Sequence, residues 1–501
     1  MQSKTKIILG PPGTGKTHNL LNLVEQELAK GTPPDRIAFV AFTKKAASEA
    51  RDRAMKKFNL EEQHLPYFRT LHSFAFNQLG LTKSEVMSRD NYKEFGQTFG
   101  MDLGSVSDGV DSGGVFTVDN QLLSEVNLAR MKCMDLEHHY NDSNLDVSWH
   151  ALLRAQRSIE EFKKKKEILD FTDMIEMYIE AGIIPKLDVV FVDEAQDLCK
   201  LQWRMVHKIC QNAKQVYVSG DDDQAIYRWA GADVEHLIRL NGEREVLQQS
   251  YRCSKVIQNC SQRIIGRVRN RIPKKWYGTK NRGLVQYHSY PDSVNVGDDN
   301  WLIMARTNYL LDEVERDIRL QGLFYKRNNR LPISQKLLNA TSAWKKLNEG
   351  GHVELTDVKD IYSYMSSEIG IERGHKNLKT ANKEQYELEE LVMHHGLLMG
   401  GRPWDVAFDK VGTRDKEFLR SIETRNRDFT KSDPKIHLST IHGAKGGEAD
   451  KVMLLTDLSR KSQEAMEKDS DDECRVFYVA ATRARNELHV VQPQRDGGFI
   501  I

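Results

Sequence analysis

The stretch GPPGTGKT, Gly10 to Thr17, limits what this chain can fold into more than any other. It follows Ile7, Ile8 and Leu9, which read as a short buried strand, and precedes Leu20, Val24 and Leu28 at helical spacing, with Gly31 as the stop. A glycine-rich turn between a strand and a helix gathers backbone N–H groups and a helix N-terminus around an anion. The pattern G-x-x-x-x-G-K-[ST] therefore predicts that Gly10, Pro11, Pro12, Gly13, Thr14 and Gly15 wrap phosphates. Lys16 would reach the β and γ oxygens, and the Thr17 hydroxyl would face Mg²⁺.

A second strand, RIAFVAF, leads through Thr43 into the alanine-rich helix KKAASEARDRAMKK. Strand then helix, twice, predicts a parallel α/β sheet. LDVVFVD, QVYVSGD, WLIMAR and KVMLLT read as further buried strands. Two stretches interrupt the alternation. Residues 74–165 are mostly helical in pattern, with a Gly/Ser/Asp-rich loop DLGSVSDGVDSGG, and residues 332–435 are helical and polar, opening at ISQKLLNATSAWKKL and containing EIGIERGHKN. The expected class is α/β, with two parallel-sheet cores, each interrupted by a mainly helical insertion. The expected boundaries are 1–73 with 166–247, insertion 74–165, then 248–331 with 436–501, and insertion 332–435.

The 501 residues call for several compact units, and 73 basic against 72 acidic side chains leave no global charge for a polyanion to exploit. Nucleic-acid binding must then come from local patches. RIIGRVRNRIPKK carries Arg263, Arg267, Arg269, Arg271, Lys274 and Lys275 without an acid, and is expected to attract a phosphate backbone. The run Lys163 to Lys166 reads as a solvated helix face. Six scattered cysteines with no C-x-x-C pair argue against a zinc site or a disulfide framework and for a reducing compartment. The chain lacks an apolar run long enough for a signal peptide or a bilayer span, so a soluble cytoplasmic protein with no membrane contact is expected.

VVFVDEAQD adds the partner of the glycine loop. Four apolar residues end in Asp193, placed to hold Mg²⁺ through water, and Glu194 beside it can accept a proton from an attacking water, which favours hydrolysis over transfer to a bound acceptor. SGDDDQAIYRWAG, Ser219 to Gly231, then sets three carboxylates suited to a cation or water next to Tyr227 and Trp229, which are suited to stacking.

With FVAFTKKAA, TLHSFA, LDFTDMI, VDEAQD, GDDDQAIYRWAGA, LQQSYR, ARTN, STIHGAKGGEADKV and YVAATRAR in this order, the chain resembles the UvrD/Rep/PcrA-type superfamily 1 helicases from Gly10 to about Val491. The resemblance implies two RecA-like P-loop NTPase domains, ATP and Mg²⁺ as cofactors, and single-stranded and tailed duplex DNA as partners. It implies ATP-dependent translocation and unwinding, 3′-to-5′, by a monomer in a bacterial or phage-infected cell, with roles in DNA repair and replication. It also implies catalytic roles for Lys16, Asp193, Glu194, Gln224, Arg252 and Arg483. Gln224 would sense the γ-phosphate and the attacking water, and the two arginines would reach the γ-phosphate. His18 would adjoin the nucleotide, Tyr251 would stack on the base, and Glu448 would meet the ribose. DNA contacts would fall to Phe42, Thr43, His72, Tyr227, Trp229, Arg306, Asn308, Thr440 and His442, with Lys445 in the same motif as His442.

Departures accompany the likeness. Relatives carry an L-N-x-x-Q signature well before the glycine loop, and Gln2 lies too close to Gly10 to match it, so relaxed base selectivity is expected. Ala230 stands where the family has arginine, with Arg228 two positions earlier as a candidate substitute, and Gly447 and Ala449 replace larger apolar residues. The second insertion is short for this family, which keeps open a DNA-stimulated ATPase that displaces bound proteins with little unwinding. A P-loop kinase or switch GTPase is disfavoured by the paired arginines, Glu194 and the stacking motif.

Overall fold

Apolar runs that alternate between two covered faces build the first sheet. The computed structural model describes residues 4–104, 120–143, 145–378, 383–425, 433–495 and 497–501, with the backbone alone at 106–107 and 117–118. Gln2 and most of the DLGSVSDGVDSGG loop lie outside the described residues. Strands β1 (Lys4–Leu9), β2 (Ile37–Ala41), β3 (Phe68–Thr70), β4 (Val189–Val192), β5 (Gln215–Gly220) and β6 (Glu243–Val246) are all parallel, in the order β3-β2-β4-β5-β1-β6. Ile7, Leu9, Val190 and Val192 point into one core, and Ile8, Val189 and Phe191 into the other, as the two-residue period requires. Phe191 stacks on Tyr217 at 4.9 Å.

The chain separates into two compact units: residues 1–282 with 465–482, and 283–464 with 483–501. The sequence reading placed 248–282 and 465–482 with the second core, whereas both group with the first. The cause lies in contacts that the one-dimensional pattern hides: the 250–277 segment bonds to the glycine loop and to Asp221–Asp223, and helix Lys255–Ile265 packs on helix Asp471–Ala481.

In the second unit β7 (Leu284–His288), β8 (Trp301–Ala305), β9 (Tyr325–Arg327), β10 (Ile436–Thr440), β11 (Ala449–Leu455) and β12 (Ala484–Val491) form another parallel sheet, β9-β10-β8-β11-β12-β7. The expected helical stretches are present. Between 74 and 165, helices Arg89–Phe99, Gln121–Met131 and Trp149–Lys166 close over Tyr92, Phe95, Leu123, Ile159 and Phe162. Between 332 and 435, Gln335–Asn348, Leu355–Ser363 and Thr413–Arg425 bury Trp344, Tyr362 and Phe418 in a core continuous with the second sheet.

The lysine run is not uniformly solvated. Lys163 is buried, with its ammonium 2.6 Å from Asp170 and 2.7 Å from Asp173, because the helix-capping acids of Phe171–Ala181 face it, and Arg130 joins them from Gln121–Met131. Burial disfavours the Asp170 charge, but Arg130 and Lys163 outweigh it and hold the carboxyl well below the usual range. Among the described residues, no helix is long and apolar enough to cross a membrane.

Candidate nucleotide and nucleic-acid site

The glycine loop leaves the C-terminal end of β1 and enters α1 (Lys16–Ala29). Gly13 and Gly15 have φ of 72° and 76°, where a side chain is strained, and a Cβ on Gly10 would lie 1.9 Å from the Lys16 stem. Lys16 Nζ donates to the Gly10 carbonyl at 3.0 Å, curling over the loop, and Thr17 Oγ1 donates to Asp193 Oδ2 at 3.1 Å. Asp193 comes from the end of β4, and Lys16 Nζ lies 4.0 Å from Glu194. Burial, then the Glu194 charge, pushes the Asp193 carboxyl up to about 7. A hydroxyl, two adjacent carboxylates and an ammonium beside glycine-loop amides form a donor set that fits a nucleoside triphosphate with Mg²⁺. Thr17 and Asp193, the expected metal pair, are brought together. His18 Nδ1 lies 3.2 Å from the Arg53 guanidinium, which also binds Glu25 and Asn22.

A chain of amides joins this carboxylate pair to Gln224. Gln196 donates to Glu194 and to Asp197, while its carbonyl accepts from Asp221 N at 2.9 Å. Gln224 Nε2 donates to Asp221 Oδ2 at 2.6 Å. Glu194 sits at φ 51°, uncommon for a residue with a side chain, within this network.

The acidic triplet is not a cation or water site. Lys274 fills it: its ammonium, shielded from solvent, lies 3.1 Å from Asp221 and 3.0 Å from Asp223 and pairs with Asp222. Arg271 grips Asp223 with two hydrogen bonds, 2.7 and 2.5 Å, and Asp222 also accepts from Ile272 N at 2.8 Å. Burial disfavours the Lys274 charge, yet the three carboxylates hold its pKa above the ordinary lysine value. The basic stretch 263–275 is corrected in part, since Arg271 and Lys274 face inward and Arg269 pairs with Asp469 and Asp471, while Arg263, Arg267 and Lys275 are exposed. The charges of Arg269, Arg271 and Lys274 match nearby acids, so these three do not form an open backbone-binding patch.

Ser250, Tyr251 and Arg252 lie against the glycine loop. Ser250 Oγ donates to Pro12 O at 2.7 Å, Tyr251 N donates to Gly13 O at 2.8 Å, and a Cβ on Gly13 would come within 2.4 Å of Arg252 Cβ. The Tyr251 ring is 77% exposed at this edge, open to a flat ligand. Sequence reasoning missed Ser250, Gln196, Arg271 and Lys274 as site residues, although each lies in a stretch it had singled out.

The nucleic-acid candidates divide. Trp229 is 59% exposed in the turn Arg228–Ala230. Tyr227 is half-buried and stacks at 6.2 Å on Phe42, which is only 7% exposed, so Phe42 backs Tyr227 and is not itself presented. Thr43 caps helix Lys44–Phe58, accepting from Ala46 N. His72 is buried edge-on against Phe171, and burial pushes its imidazole down to about 4. Its ring is 9% exposed and packed against Phe171, and the neutral imidazole offers a phosphate an N–H donor and no charge. Arg228 binds Asp472 at 2.7 Å, which does not make it the missing arginine.

In the second unit, Ala305 and Thr440 are paired at the C-terminal ends of the interior strands β8 and β10, so Arg306, Asn308, Thr440 and His442 follow from adjacent strand ends. Thr440 Oγ1 accepts from Gly443 N at 3.1 Å, and Asn308 Oδ1 accepts from Asn328 at 3.1 Å. Arg483 is buried, donating to Gly447 O at 3.2 Å, and Glu448 pairs with Arg485.

Comparison with known proteins gives a family for both parts of the chain. The family model for the UvrD/REP helicase N-terminal domain matches residues 1–244, and that for the UvrD-like helicase C-terminal domain matches 332–494. Similar proteins include an ATP-dependent DNA helicase PcrA of Leuconostoc citreum, 24% identical over 72% of this chain and 50% of its own length. PcrA of Staphylococcus epidermidis is 26% identical over 72% and 51%. A probable DNA helicase II homolog of Mycoplasma capricolum is 22% identical over 99% of this chain and 83% of its own length. The chain thus spans about half the length of the PcrA relatives it matches.

Proposed function

The chain belongs to the UvrD/Rep helicase family, and from that premise we propose that it is an ATP-dependent DNA helicase that moves 3′-to-5′ along single-stranded DNA as a monomer. The observation that carries this reading is the continuous hydrogen-bonded path from Glu194 through Gln196 and Asp221 to Gln224, three residues before Tyr227 and five before the exposed Trp229. A nucleotide-sensing group and a stacking platform then share one short segment.

In this reading Lys16 and the loop amides grip the β and γ phosphates, and Thr17 with Asp193 would hold Mg²⁺, which when bound neutralises phosphate charge. Glu194 takes the proton of the attacking water, and Gln224 orients that water. Arg252, beside Gly13, stabilises charge on the transferred group, and Arg483 of the second sheet is the second such cation. Tyr251 covers the base of the nucleotide, and Glu448 reaches its ribose. Trp229, with Tyr227 braced on Phe42, holds a DNA base, and Thr43, Arg306, Asn308, Thr440 and His442 contact the backbone. Each sheet with its insertion acts as one two-part domain, and DNA repair or replication is the setting.

The test is steady-state ATP hydrolysis with and without single-stranded DNA, in the parent chain and in Trp229→Ala. Strong stimulation is expected in the parent. The variant should lose stimulation more than basal turnover, since one base–aromatic stack contributes about 1–3 kcal/mol. Equal loss of both would mark Trp229 as a packing residue, and no stimulation in the parent would sink the motor reading.

A further inference from the structure

Lys274 is a cation with no solvent exposure, held among three consecutive aspartates, and the three are not equivalent. Asp223 has its own bidentate partner in Arg271, and Asp222 accepts from Ile272 N while Arg475 donates to its carbonyl. Asp221 has Lys274 as its cation, and it is Asp221 that accepts the Gln224 carboxamide nitrogen.

The charge on Asp221 decides which end of that carboxamide it takes. A carboxylate is acceptor only and binds the NH₂ end, whereas a protonated acid carries an O–H donor that suits the carbonyl end. Bound through NH₂, the Gln224 carboxamide has its nitrogen engaged by Asp221, and in the proposed reading the carbonyl is the end that serves the attacking water. Turned over, it would present a donor instead. Lys274 Nζ, 3.1 Å from Asp221, pins the carboxylate that takes the NH₂ end of Gln224, so the ammonium that seats Asp221 also keeps Gln224 the right way round.

We propose that Lys274 is a positioning residue for nucleotide hydrolysis, acting through Asp221 to fix the orientation of the Gln224 carboxamide. The role rests on the reading of the first unit as an ATP-hydrolysing site with Gln224 at the water. It reaches the other side of the loop as well. Three residues on, the Tyr277 backbone N–H donates to Gln248 O at 2.7 Å and its carbonyl accepts from Ser250 N at 2.8 Å, so the segment that carries Lys274 also seats the Ser250–Arg252 turn.

The experiment compares DNA-stimulated ATP hydrolysis by the full chain with Lys274→Gln, Asp221→Asn, Gln224→Ala and the double variants of each with Gln224→Ala. Lys274→Gln should lower kcat by about 10- to 100-fold with KM for ATP changed less than about threefold, because the lost interaction serves the water and not the bound nucleotide. The Lys274→Gln, Gln224→Ala double variant should be no slower than Gln224→Ala alone. Losses that multiply, or a KM that rises while kcat holds, would overturn the proposal in favour of a purely structural lysine. Should Lys274→Gln fail to fold, Asp221→Asn decides the matter: it leaves Lys274 paired with Asp222 and Asp223, frees the carboxamide to turn, and should show the same kcat loss. A parent-like rate in Asp221→Asn would overturn the proposal. A parent-like rate in Gln224→Ala would instead remove the water-orienting role of Gln224, and the proposal with it.

Discussion

Two acidic clusters end neighbouring strands of the same sheet, Asp193 with Glu194 after β4 and Asp221 to Asp223 after β5, and they are put to opposite uses. In each, carboxylates crowd together, with Asp193 and all three of Asp221 to Asp223 buried and Glu194 partly exposed. The first is left under-compensated: Asp193 has the Thr17 hydroxyl and the Glu194 N–H, with no ion pair among the described residues, and its carboxyl is raised. The second is closed by Lys274 and Arg271 brought from fifty residues away. A cluster whose every acid has a built-in cation is architecture, and one that leaves a buried acid such as Asp193 without an ion pair among the described residues is prepared to receive a cation from a ligand. The identity of the acids does not separate the two cases; the distant lysine does.

The contrast breaks most visibly at Lys16. Lys16→Ala removes the ammonium that lies 4.0 Å from Glu194 in the open cluster, and turnover should fall by about 10³-fold or more, the scale of losing a preorganised phosphate-stabilising charge. The fold and measurable DNA binding should survive. Retained hydrolysis would show that the first cluster is no more a reaction site than the second.

Next in size is the closed cluster. Lys274→Met leaves three buried acids facing Arg271, and breaking a buried pair from one side costs about 3–5 kcal/mol. Chemical denaturation should register a loss of about that size. A variant as stable as the parent would mean that water, not Lys274, compensates the aspartates.

The same distinction explains what could be read in advance. Interior strands β1, β2, β4, β5, β8 and β11 announce themselves as apolar runs because helices cover both their faces. Six strands gave no such signal: β3 (FRT), β6 (EREV), β7 (LVQYH) and β9 (YKR) are the outer edges of the two sheets, paired on one side and partly wet, while β10 (IHLST) and β12 (ARNELHVV) lie inside the second sheet with polar residues breaking the apolar run. For the site, the glycine loop and Asp193 follow from local order, since strand, turn and helix fix their geometry within a few residues. Whether Arg271 and Lys274 meet DNA or aspartates depends on a tertiary contact across about fifty positions, and a run of basic residues looks the same in both cases. The burial of His72 was hidden for a related reason: its ring packs on Phe171, about a hundred residues on.

The smallest effect is the most discriminating, because its sign is reversed. Asp193→Asn keeps an acceptor for Thr17 but removes a buried charge that faces another acid, so the nucleotide-free variant should be more stable than the parent by about 2 kcal/mol even as it loses turnover. Adding Mg²⁺ and a non-hydrolysable ATP analogue should then narrow or invert the gap, since binding stabilises the parent in proportion to its affinity, and the variant has lost a group that would hold the metal. Thermal melts of both chains with and without ligand measure this directly. If Asp193→Asn destabilised the free protein as Lys274→Met is expected to, Asp193 would be already compensated from within. The two clusters would then be of one kind, and the cation would not be what the first of them lacks.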